Sequence, residues 1–228
     1  MRPTVLLFDI DGTLLSSGGA GRRAIVRAFT ERYGREDAFA GMSFAGMTDR
    51  AIARGALTHI GRPVDADEID AALEHYVGCL EEEVARADKY RVHAGMHAAI
   101  EAAEQQPRTA VGLGTGNIRK GAHVKLARVN LHERFPFGGF GCDHEDRPEL
   151  IRMGAQRGAD SLGVPLADCR VVVIGDTPKD VAAAVAIGAE SIAVATGVFT
   201  VEQLRQTPAT LVVRDLAEPG ALDMLLAR

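Results

Sequence analysis

The feature that most constrains this chain is an apolar run that ends abruptly in two acidic residues, near the amino terminus. The four residues Val5 to Phe8 are all apolar, which is typical of a strand buried on both faces at the centre of a parallel sheet. Asp9 and Asp11 follow, two residues apart, and would share one side if the strand continued. Gly12 then allows a sharp turn. Two carboxylates crowded at a buried strand end need a cation, a proton or strong hydrogen-bond donors.

An Asp-x-Asp-Gly pattern also begins the calcium-binding loop of an EF-hand, but that interpretation fails. The sixth loop position would be Leu14 and the twelfth Ala20, where glycine and glutamate are required, and a strand precedes the motif instead of a helix. Taken alone, the two acids could still form a purely structural ion site. The rest of the chain has to decide between a structural and a chemical role.

Composition excludes several classes of protein. The 228 residues suffice for one large domain, or for a core with a smaller second one. The net charge of -5, without a basic tract, disfavours a nucleic-acid partner. Cys79, Cys142 and Cys169 are too few and too scattered for a disulfide framework or a zinc site, which favours a reducing compartment. With neither a signal peptide nor a membrane span in the pattern, we expect a cytoplasmic protein without a membrane partner.

Residues from about 17 to 91 contain predicted helices and no convincing strand. Apolar spacing predicts a helix over about 20 to 33 that ends at Gly34, and a second from Thr48, a plausible N-cap, to Gly61. A third begins at Asp65, with Glu68 at the spacing of a capping box.

From Gly95 onward, predicted strands and helices alternate. The strands are expected near 109–113, 135–140, 170–174 and 191–195, and the helices near 95–105, near 120–130, from Pro148 and from Pro178. Alternation of this kind favours a doubly wound parallel sheet. The sequence therefore predicts an α/β core of residues 1–16 and 92–228, with an all-helical segment of residues 17–91 inserted between the first two core strands.

Polar residues follow three of the predicted core strands: Asp9 and Asp11, then Thr115, then Asp176 and Asp180. Ligands of open parallel sheets bind outside the carboxyl ends of the strands, so these groups are expected to converge. The absence of histidine and cysteine from the set argues against zinc or copper. Mg²⁺, which prefers carboxylate oxygens, is the expected cation.

Three motifs resemble those of the haloacid dehalogenase-like hydrolase superfamily. Residues 9–14 match its Asp-x-Asp-Gly-Thr-Leu nucleophile motif, residues 114–117 resemble its second motif, and residues 175–180 resemble its Gly-Asp-x-x-x-Asp acidic motif. The resemblance covers nearly the whole chain and implies a Rossmann-like hydrolase core. The inserted helices resemble the cap of phosphoglycolate phosphatase-like and β-phosphoglucomutase-like members.

The resemblance assigns roles to the acids. Asp9 would be the nucleophile that forms an aspartyl-phosphate, and Asp11 the general acid and base. Dehalogenase members lack the second acid, so Asp11 favours a phosphatase. One oxygen of Asp9, the backbone carbonyl of Asp11 and the carboxylate of Asp176 would ligate Mg²⁺, with Asp180 assisting through water.

Phosphate binding is expected from the turn at Gly12 and from the second motif, where the Thr115 hydroxyl and the amides of Gly116 and Asn117 would hold phosphate oxygens. The family also requires a cation, usually a lysine that precedes a proline.

In this chain Arg147 stands before Pro148 at the expected place. Lys125, on the helix after Thr115, is the competitor, although a lysine at that distance is more often solvated. We favour Arg147, because arginine can hold a phosphate through two hydrogen bonds.

The predicted helical segment would act as a lid over the site, hinged near residues 18–21 and 90–95. Its candidates for contact with a substrate are Arg22, Arg23, Thr48, Asp49 and Arg50. The leading hypothesis is a Mg²⁺-dependent phosphatase of a small phosphorylated metabolite, such as phosphoglycolate or a sugar phosphate. The alternatives are a sugar phosphomutase of the same family and a non-catalytic phosphate-binding protein.

Overall fold

A computed structural model describes residues 2–226, which form a parallel sheet with a helical segment at one end. Six strands lie in the order β5-β4-β1-β6-β7-β8, and every neighbouring pair is parallel. Their bounds are Thr4–Phe8 for β1, Thr109–Gly114 for β4, Gly138–Gly139 for β5, Arg170–Gly175 for β6, Glu190–Val194 for β7 and Leu211–Val213 for β8. Two further strands, β2 (Leu15–Ser16) and β3 (Arg91–Val92), form a separate antiparallel pair.

The helices fall into two groups along the chain. The helical segment contains α1 (Ala20–Tyr33), α2 (Asp49–His59) and α3 (Ala66–Arg86). The core contains α4 (Met96–Glu104), α5 (Arg119–Ala127), α6 (Arg147–Ser161), α7 (Pro178–Ala186), α8 (Val201–Leu204) and α9 (Ala221–Leu226). Among residues 2–226, none of the helices is both long and apolar enough to cross a membrane.

The central strand β1 buries both of its faces, as its uninterrupted apolar run predicts. Leu6 and Phe8 belong to one apolar cluster, together with residues of α4, α5 and α9. Val5 and Leu7 point to the opposite side and pack with residues of α6 and α7. Because side chains alternate along a strand, one apolar run supplies two cores. The predicted doubly wound, Rossmann-like α/β fold is therefore confirmed.

The helical segment has an apolar cluster of its own, built around buried residues such as Phe29, Leu57 and Tyr76. Its three helices lie close to their predicted positions. Helix α1 ends at Gly34, whose φ of 66° is the left-handed conformation that glycine tolerates. Helix α2 is capped by the Thr48 hydroxyl, which accepts a hydrogen bond from the Ala51 amide at 3.2 Å.

Two local predictions need correction. The capping box at Asp65 is only half formed: Asp65 accepts from the Glu68 amide at 2.9 Å, but the Glu68 carboxylate instead accepts from the Tyr33 hydroxyl at 2.6 Å. The expectation of no strand up to residue 91 is also wrong, because Arg91 pairs with Ser16 in the β2–β3 ribbon. Two-residue strands show no periodicity, so the sequence carried no signal for them. This ribbon brings together the two points where the chain enters and leaves the helical segment.

Candidate active site

The first acidic motif lies in a tight turn at the carboxyl end of β1. The Asp9 amide still donates to the carbonyl of Ile174 at 2.9 Å, so Asp9 is held at the sheet edge. Gly12 then adopts a φ of 79°, and its amide donates to Leu15 at 2.9 Å. A Cβ atom at Gly12 would lie 2.4 Å from an Asp176 oxygen. Glycine is therefore required here by both backbone conformation and space.

Three carboxylates meet beside this turn. Asp9, Asp176 and Asp180 are buried, and one oxygen from each lies within 4.8 Å of the others. Burial raises the pKa of Asp176 to about 8, and the neighbouring Asp180 and Asp9 add to the shift. Burial likewise raises the pKa of Asp9 to about 6, although Arg147 opposes it. The protein's own cations thus leave this cluster short of positive charge, and its all-oxygen donors fit a hard ion such as Mg²⁺.

Both oxygens of Asp180 are engaged by the protein itself. One accepts from the amide and hydroxyl of Thr177, at 2.9 and 2.7 Å, and the other accepts from Arg147 Nε at 2.9 Å. Asp180 therefore fixes the start of α7 and orients Arg147. Within this cluster of three carboxylates, Asp9 and Asp176 are less fully committed to protein donors than Asp180.

Arg147, the first residue of α6, lies where the sequence places the family's cation. Its side chain is 7% exposed, and its Nη2 lies 3.1 Å from an oxygen of Asp9. Burial alone would lower the pKa of Arg147, but Asp180 and Asp9 outweigh it and the pKa is raised. Arg147 thus remains a fixed positive charge at the predicted nucleophile.

Lys125 is buried, although its distance from Thr115 in the sequence had favoured a solvated surface position. It is only 3% exposed, and its Nζ lies 2.6 Å from both Asp11 Oδ2 and Asn117 Oδ1. Burial disfavours the charged ammonium, but Asp11 and Asp49 outweigh it, so the pKa of Lys125 is raised. The packing of α5 turns this residue inward, which spacing from Thr115 alone could not reveal. Both candidate cations therefore belong to the site: Arg147 holds Asp9, and Lys125 holds Asp11.

The loop after β4 links the two acids of the first motif. Thr115 is fully buried, and its side chain hydrogen-bonds with Asp9. Asn117 Nδ2 donates to the Thr115 hydroxyl at 2.8 Å and to Asp11 Oδ2 at 2.9 Å. The sequence predicted a role only for the Asn117 amide. Its side chain is a further positioning group, which fixes Asp11 relative to Thr115.

A cavity of about 610 Å³ lies between these groups and the helical segment. Gly12, Gly116 and Asn117 line it from the core. Arg22 lines it from α1, with its guanidinium 4.3 Å from the centre of the Phe44 ring. Further lining comes from Ser43, Ala45, Gly46, Met47, Asp49, Ile52 and Tyr76 of the helical segment. The cavity is thus charged at the sheet edge and largely apolar on the opposite side.

The remaining predicted substrate contacts do not line this cavity. Arg23 pairs with Glu83 at 2.7 Å, and Arg50 pairs with Asp70 and lies 3.7 Å from Glu145. Thr48 caps α2 and donates its hydroxyl to the Glu145 carbonyl at 3.3 Å. These residues stabilise the helical segment and its contact with the core.

Asp49 contributes to docking as well as to the cavity. Its Oδ2 accepts from the Ile118 amide at 2.8 Å, and its own amide donates to the Gly116 carbonyl at 2.8 Å. Burial raises the pKa of Asp49 to about 6, against the opposing effects of Lys125 and the Ile118 hydrogen bond. The first turn of α2 is therefore fastened to the loop after β4.

Three further residues lie beside Gly12 and Asp176, and the sequence pattern assigned none of them a role of its own. The Thr13 hydroxyl donates to Asp176 Oδ1 at 3.2 Å, and the Thr196 hydroxyl donates to the Gly12 carbonyl. A Cβ at Gly197 would lie 1.7 Å from Asp176 Oδ2, so a larger residue would displace that carboxylate. Thr196 and Gly197 follow a predicted core strand directly, and this position was the signal that could have identified them.

Comparison with known proteins finds one family model and many solved structures that resemble this chain. The model of a family described as HAD-hydrolase-like matches residues 148–219. A predicted phosphatase from Clostridium acetobutylicum is 18% identical, with a TM-score of 0.70 and 100% of both chains covered. CbbY from Rhodobacter sphaeroides is 18% identical, with a TM-score of 0.71 over 98% of this chain and 100% of that one. β-Phosphoglucomutase from Clostridium difficile is 16% identical, with a TM-score of 0.70 and 100% of both chains covered.

Among curated proteins, no sequence matches this chain. The structural neighbours are too distant in sequence to show more than a common fold. By sequence, residues 148–219 match the HAD-hydrolase-like family model, and along its whole length the chain shares the fold of these structural neighbours.

Proposed function

We propose that this protein is a Mg²⁺-dependent phosphatase of small phosphomonoesters that works through an aspartyl-phosphate. The observation that carries the proposal is the convergence of Asp9, Asp11, Thr115 and Asp176 at one edge of the sheet, beneath a cavity. CbbY, a neighbour in fold, is described in complex with phosphate, and a variant of it in complex with xylulose-1,5-bisphosphate. Both descriptions support a phosphorylated small molecule as the substrate class.

Asp9 is the proposed nucleophile. Its carboxylate oxygen attacks phosphorus, and the bond from phosphorus to the alcohol oxygen breaks as the new one forms. Arg147 holds the carboxylate at 3.1 Å and keeps a positive charge beside the phosphoryl group. The Thr115 hydroxyl, turned from Asp9 to the phosphoryl group, and the amides of Gly116 and Asn117 would bind its oxygens. Mg²⁺, held by Asp9 and Asp176 with the Asp11 carbonyl, would supply further positive charge that offsets the repulsion between carboxylate and phosphate.

Asp11 is the proposed general acid and base. It donates a proton to the departing alkoxide, then removes one from the water that hydrolyses the aspartyl-phosphate. Lys125 and Asn117 fix its Oδ2, which leaves the other oxygen to exchange the proton. Both groups therefore act on Asp11 by positioning it.

The helical segment, residues 17–91, is the proposed cap on a core of residues 1–16 and 92–228. Its docking contacts at Asp49 and its position over the cavity support this role. The proposed hinges, near residues 18–21 and 90–95, adjoin the β2–β3 ribbon, which joins the two crossing points. Closure would limit the access of water to the aspartyl-phosphate.

A panel of phosphorylated metabolites, with phosphate release measured at saturating Mg²⁺, tests the proposal. We expect turnover of at least one compound, loss of several orders of magnitude in Asp9→Asn, and no turnover in excess chelator. The Asp11→Asn variant should be slowed more on alkyl phosphates than on p-nitrophenyl phosphate, whose leaving group needs no proton. Full turnover in chelator, or an active Asp9→Asn variant, would contradict the mechanism.

The same panel separates a phosphatase from a sugar phosphomutase. A phosphatase releases inorganic phosphate in proportion to the substrate consumed, whereas a mutase returns the phosphoryl group to a sugar. A regioisomeric sugar phosphate without phosphate release would assign the mutase activity.

A further inference from the structure

A second group of side chains of the types that can ligate a metal lies on the helical segment, and none of them lines the cavity. His75 and Cys79 are four residues apart on α3 and therefore lie on one face of that helix. Glu31, in the last turn of α1, completes the group. Its Oε2 lies 2.9 Å from His75 Nε2 and 3.6 Å from Cys79 Sγ. Within residues 2–226, this group and the Asp9–Asp176–Asp180 cluster are the ones whose ligand atoms all lie within 4.8 Å of one another.

The distances are close to those that one metal ion imposes on its ligands. Zinc binds nitrogen and oxygen at about 2.0–2.1 Å and sulfur at about 2.3 Å, so neighbouring ligand atoms of a tetrahedral ion lie roughly 3.3–3.6 Å apart. The sulfur–oxygen separation already has this value. The nitrogen–oxygen separation needs to widen by only a few tenths of an ångström, which rotation of the two exposed side chains allows.

The surroundings orient the carboxylate. Arg27 Nε donates to Glu31 Oε1 at 2.8 Å, which leaves Oε2 directed at His75 and Cys79. Outer contacts of this kind fix the direction of a ligand. The charge of Arg27 is itself offset by Glu82, 2.9 Å away. Glu31 and His75 have side chains 44% and 42% exposed, so an ion can enter from solvent, while Cys79 is only 3% exposed and forms the floor.

We propose that Glu31, His75 and Cys79 form a binding site for a divalent ion of intermediate softness, of which Zn²⁺ is the redox-inert example, with water as the fourth ligand. The mixed oxygen, nitrogen and sulfur set distinguishes this site from the all-oxygen cluster at the sheet edge. Binding would form a zinc–sulfur bond and release the thiol proton of Cys79 to solvent. The ion would cross-link α1 to α3. The cysteine pattern alone had argued against any zinc site, since the sequence does not reveal that Glu31 packs beside α3.

Cobalt(II) titration of the full-length protein tests the site without reference to activity. Excess Mg²⁺ is added to compete for the acidic cluster, and a phosphine reductant keeps the thiols reduced. We expect a thiolate-to-cobalt charge-transfer band at one equivalent, which Zn²⁺ abolishes by competition. Cys79→Ser should lose the band and His75→Ala should weaken cobalt binding about tenfold or more. The matched control is Cys142→Ser, because Cys142 is an exposed free thiol outside the group.

Thermal unfolding provides a second measurement. Zn²⁺ should raise the melting temperature of the wild type and of Cys142→Ser, but not that of Cys79→Ser. If the buried Cys79→Ser variant fails to fold, Glu31→Gln replaces it, with the same tenfold loss of cobalt affinity expected. A wild-type spectrum without a thiolate band overturns the proposal, as does a band that persists in Cys79→Ser and vanishes in Cys142→Ser.

Discussion

At the scale of single residues, the candidate active site is governed by two buried cations and the acids that they hold. Arg147 lies against Asp9 and Asp180, and Lys125 lies against Asp11. Because Asp9 and Asp11 have different proposed tasks, the two cations should affect different parts of the reaction. The sequence offered Arg147 and Lys125 as alternatives for a single cation, whereas the structure places each of them beside a different acid.

Removal of Arg147 and removal of Lys125 should both slow catalysis, but the two losses should depend differently on the leaving group of the substrate. Charge-assisted contacts are worth about 1.5–3 kcal/mol, or roughly ten- to over a hundredfold in rate. Arg147→Ala should lower kcat/KM by that factor on all substrates, and Arg147→Lys should restore part of it. Lys125→Met should lower it mainly on alkyl phosphates, because Lys125 positions the proposed general acid. Steady-state kinetics on alkyl and nitrophenyl phosphates measure both effects.

Thermal unfolding is the control for this comparison. Arg147→Ala leaves Asp180 buried without its cation and should destabilise the fold by about 3–5 kcal/mol. A Lys125→Met variant as active as the wild type on alkyl phosphates would remove Lys125 from the site chemistry.

Asp49 should make stability depend on pH. Its folded-state pKa is raised from 3.8 to about 6, so the folded chain holds the proton more tightly than the unfolded chain. The protonated form stabilises the fold at low pH, and this contribution is lost as pH rises from about 4 to 6. Asp49→Asn carries no charge at any pH. Relative to the wild type, its free energy of unfolding should therefore rise by about 3 kcal/mol between pH 3 and 7, as urea denaturation can measure. A constant difference between the two proteins would contradict the assignment.

At the scale of elements, the decisive contact joins the start of α2 to the loop after β4. A Cβ atom at Gly116 would lie 2.4 Å from the carbonyl oxygen of Met47. Both sides of this contact are backbone, so neither can yield by rotating a side chain. The position of the helical segment over the cavity therefore depends on a glycine whose φ is unexceptional.

Gly116→Ala should displace the helical segment and lower kcat/KM more than tenfold, while the sheet stays folded. The matched control is Gly78→Ala in α3, where a Cβ would meet nothing within 4 Å. That substitution should stabilise the protein by roughly 0.5–1 kcal/mol, because alanine favours helix over glycine. Kinetics and urea denaturation of both variants test the pair. Normal activity in Gly116→Ala would show that this close approach is dispensable.

At the scale of the whole molecule, the parallel sheet concentrates acidic side chains at one edge. Asp9 and Asp176 follow β1 and β6, which are neighbours in the sheet although they lie far apart in sequence. Without a metal ion this arrangement opposes folding at neutral pH, since burial and mutual repulsion raise the pKa of both carboxyls. Raised folded-state values mean that stability falls as pH rises from about 4 towards 8.

Mg²⁺ should therefore stabilise the fold, by about 2.7 kcal/mol at a concentration one hundred times its dissociation constant. Asp176→Asn should be more stable than the wild type in the presence of chelator and should lose most of the response to Mg²⁺. Thermal unfolding at pH 7.5, with chelator and with Mg²⁺, measures both quantities. An Asp176→Asn protein that responds to Mg²⁺ like the wild type would exclude this carboxylate as a ligand.

The sequence by itself determined what depends on near neighbours in the chain. The apolar run before Asp9 predicted the central strand, and Gly34 and Thr48 marked the end of α1 and the start of α2, because strand burial and helix capping are local effects. The acids Asp9 and Asp176 were also found from sequence, since parallel strands all deliver their carboxyl ends to one edge.

Only the tertiary structure decided which way the side chains of the helices face. Lys125 turned out to be buried beside Asp11, and Glu31 to lie beside His75 and Cys79. The rotation of a helix about its axis is set by packing against its neighbours, and a single sequence does not specify those neighbours. For the same reason, the hydrogen bond from the Ile118 amide to Asp49 could not be predicted from the sequence. The positions of the central strand, the helix ends and the acids along the chain could be predicted from local chemistry. The contacts between residues far apart in the chain could not.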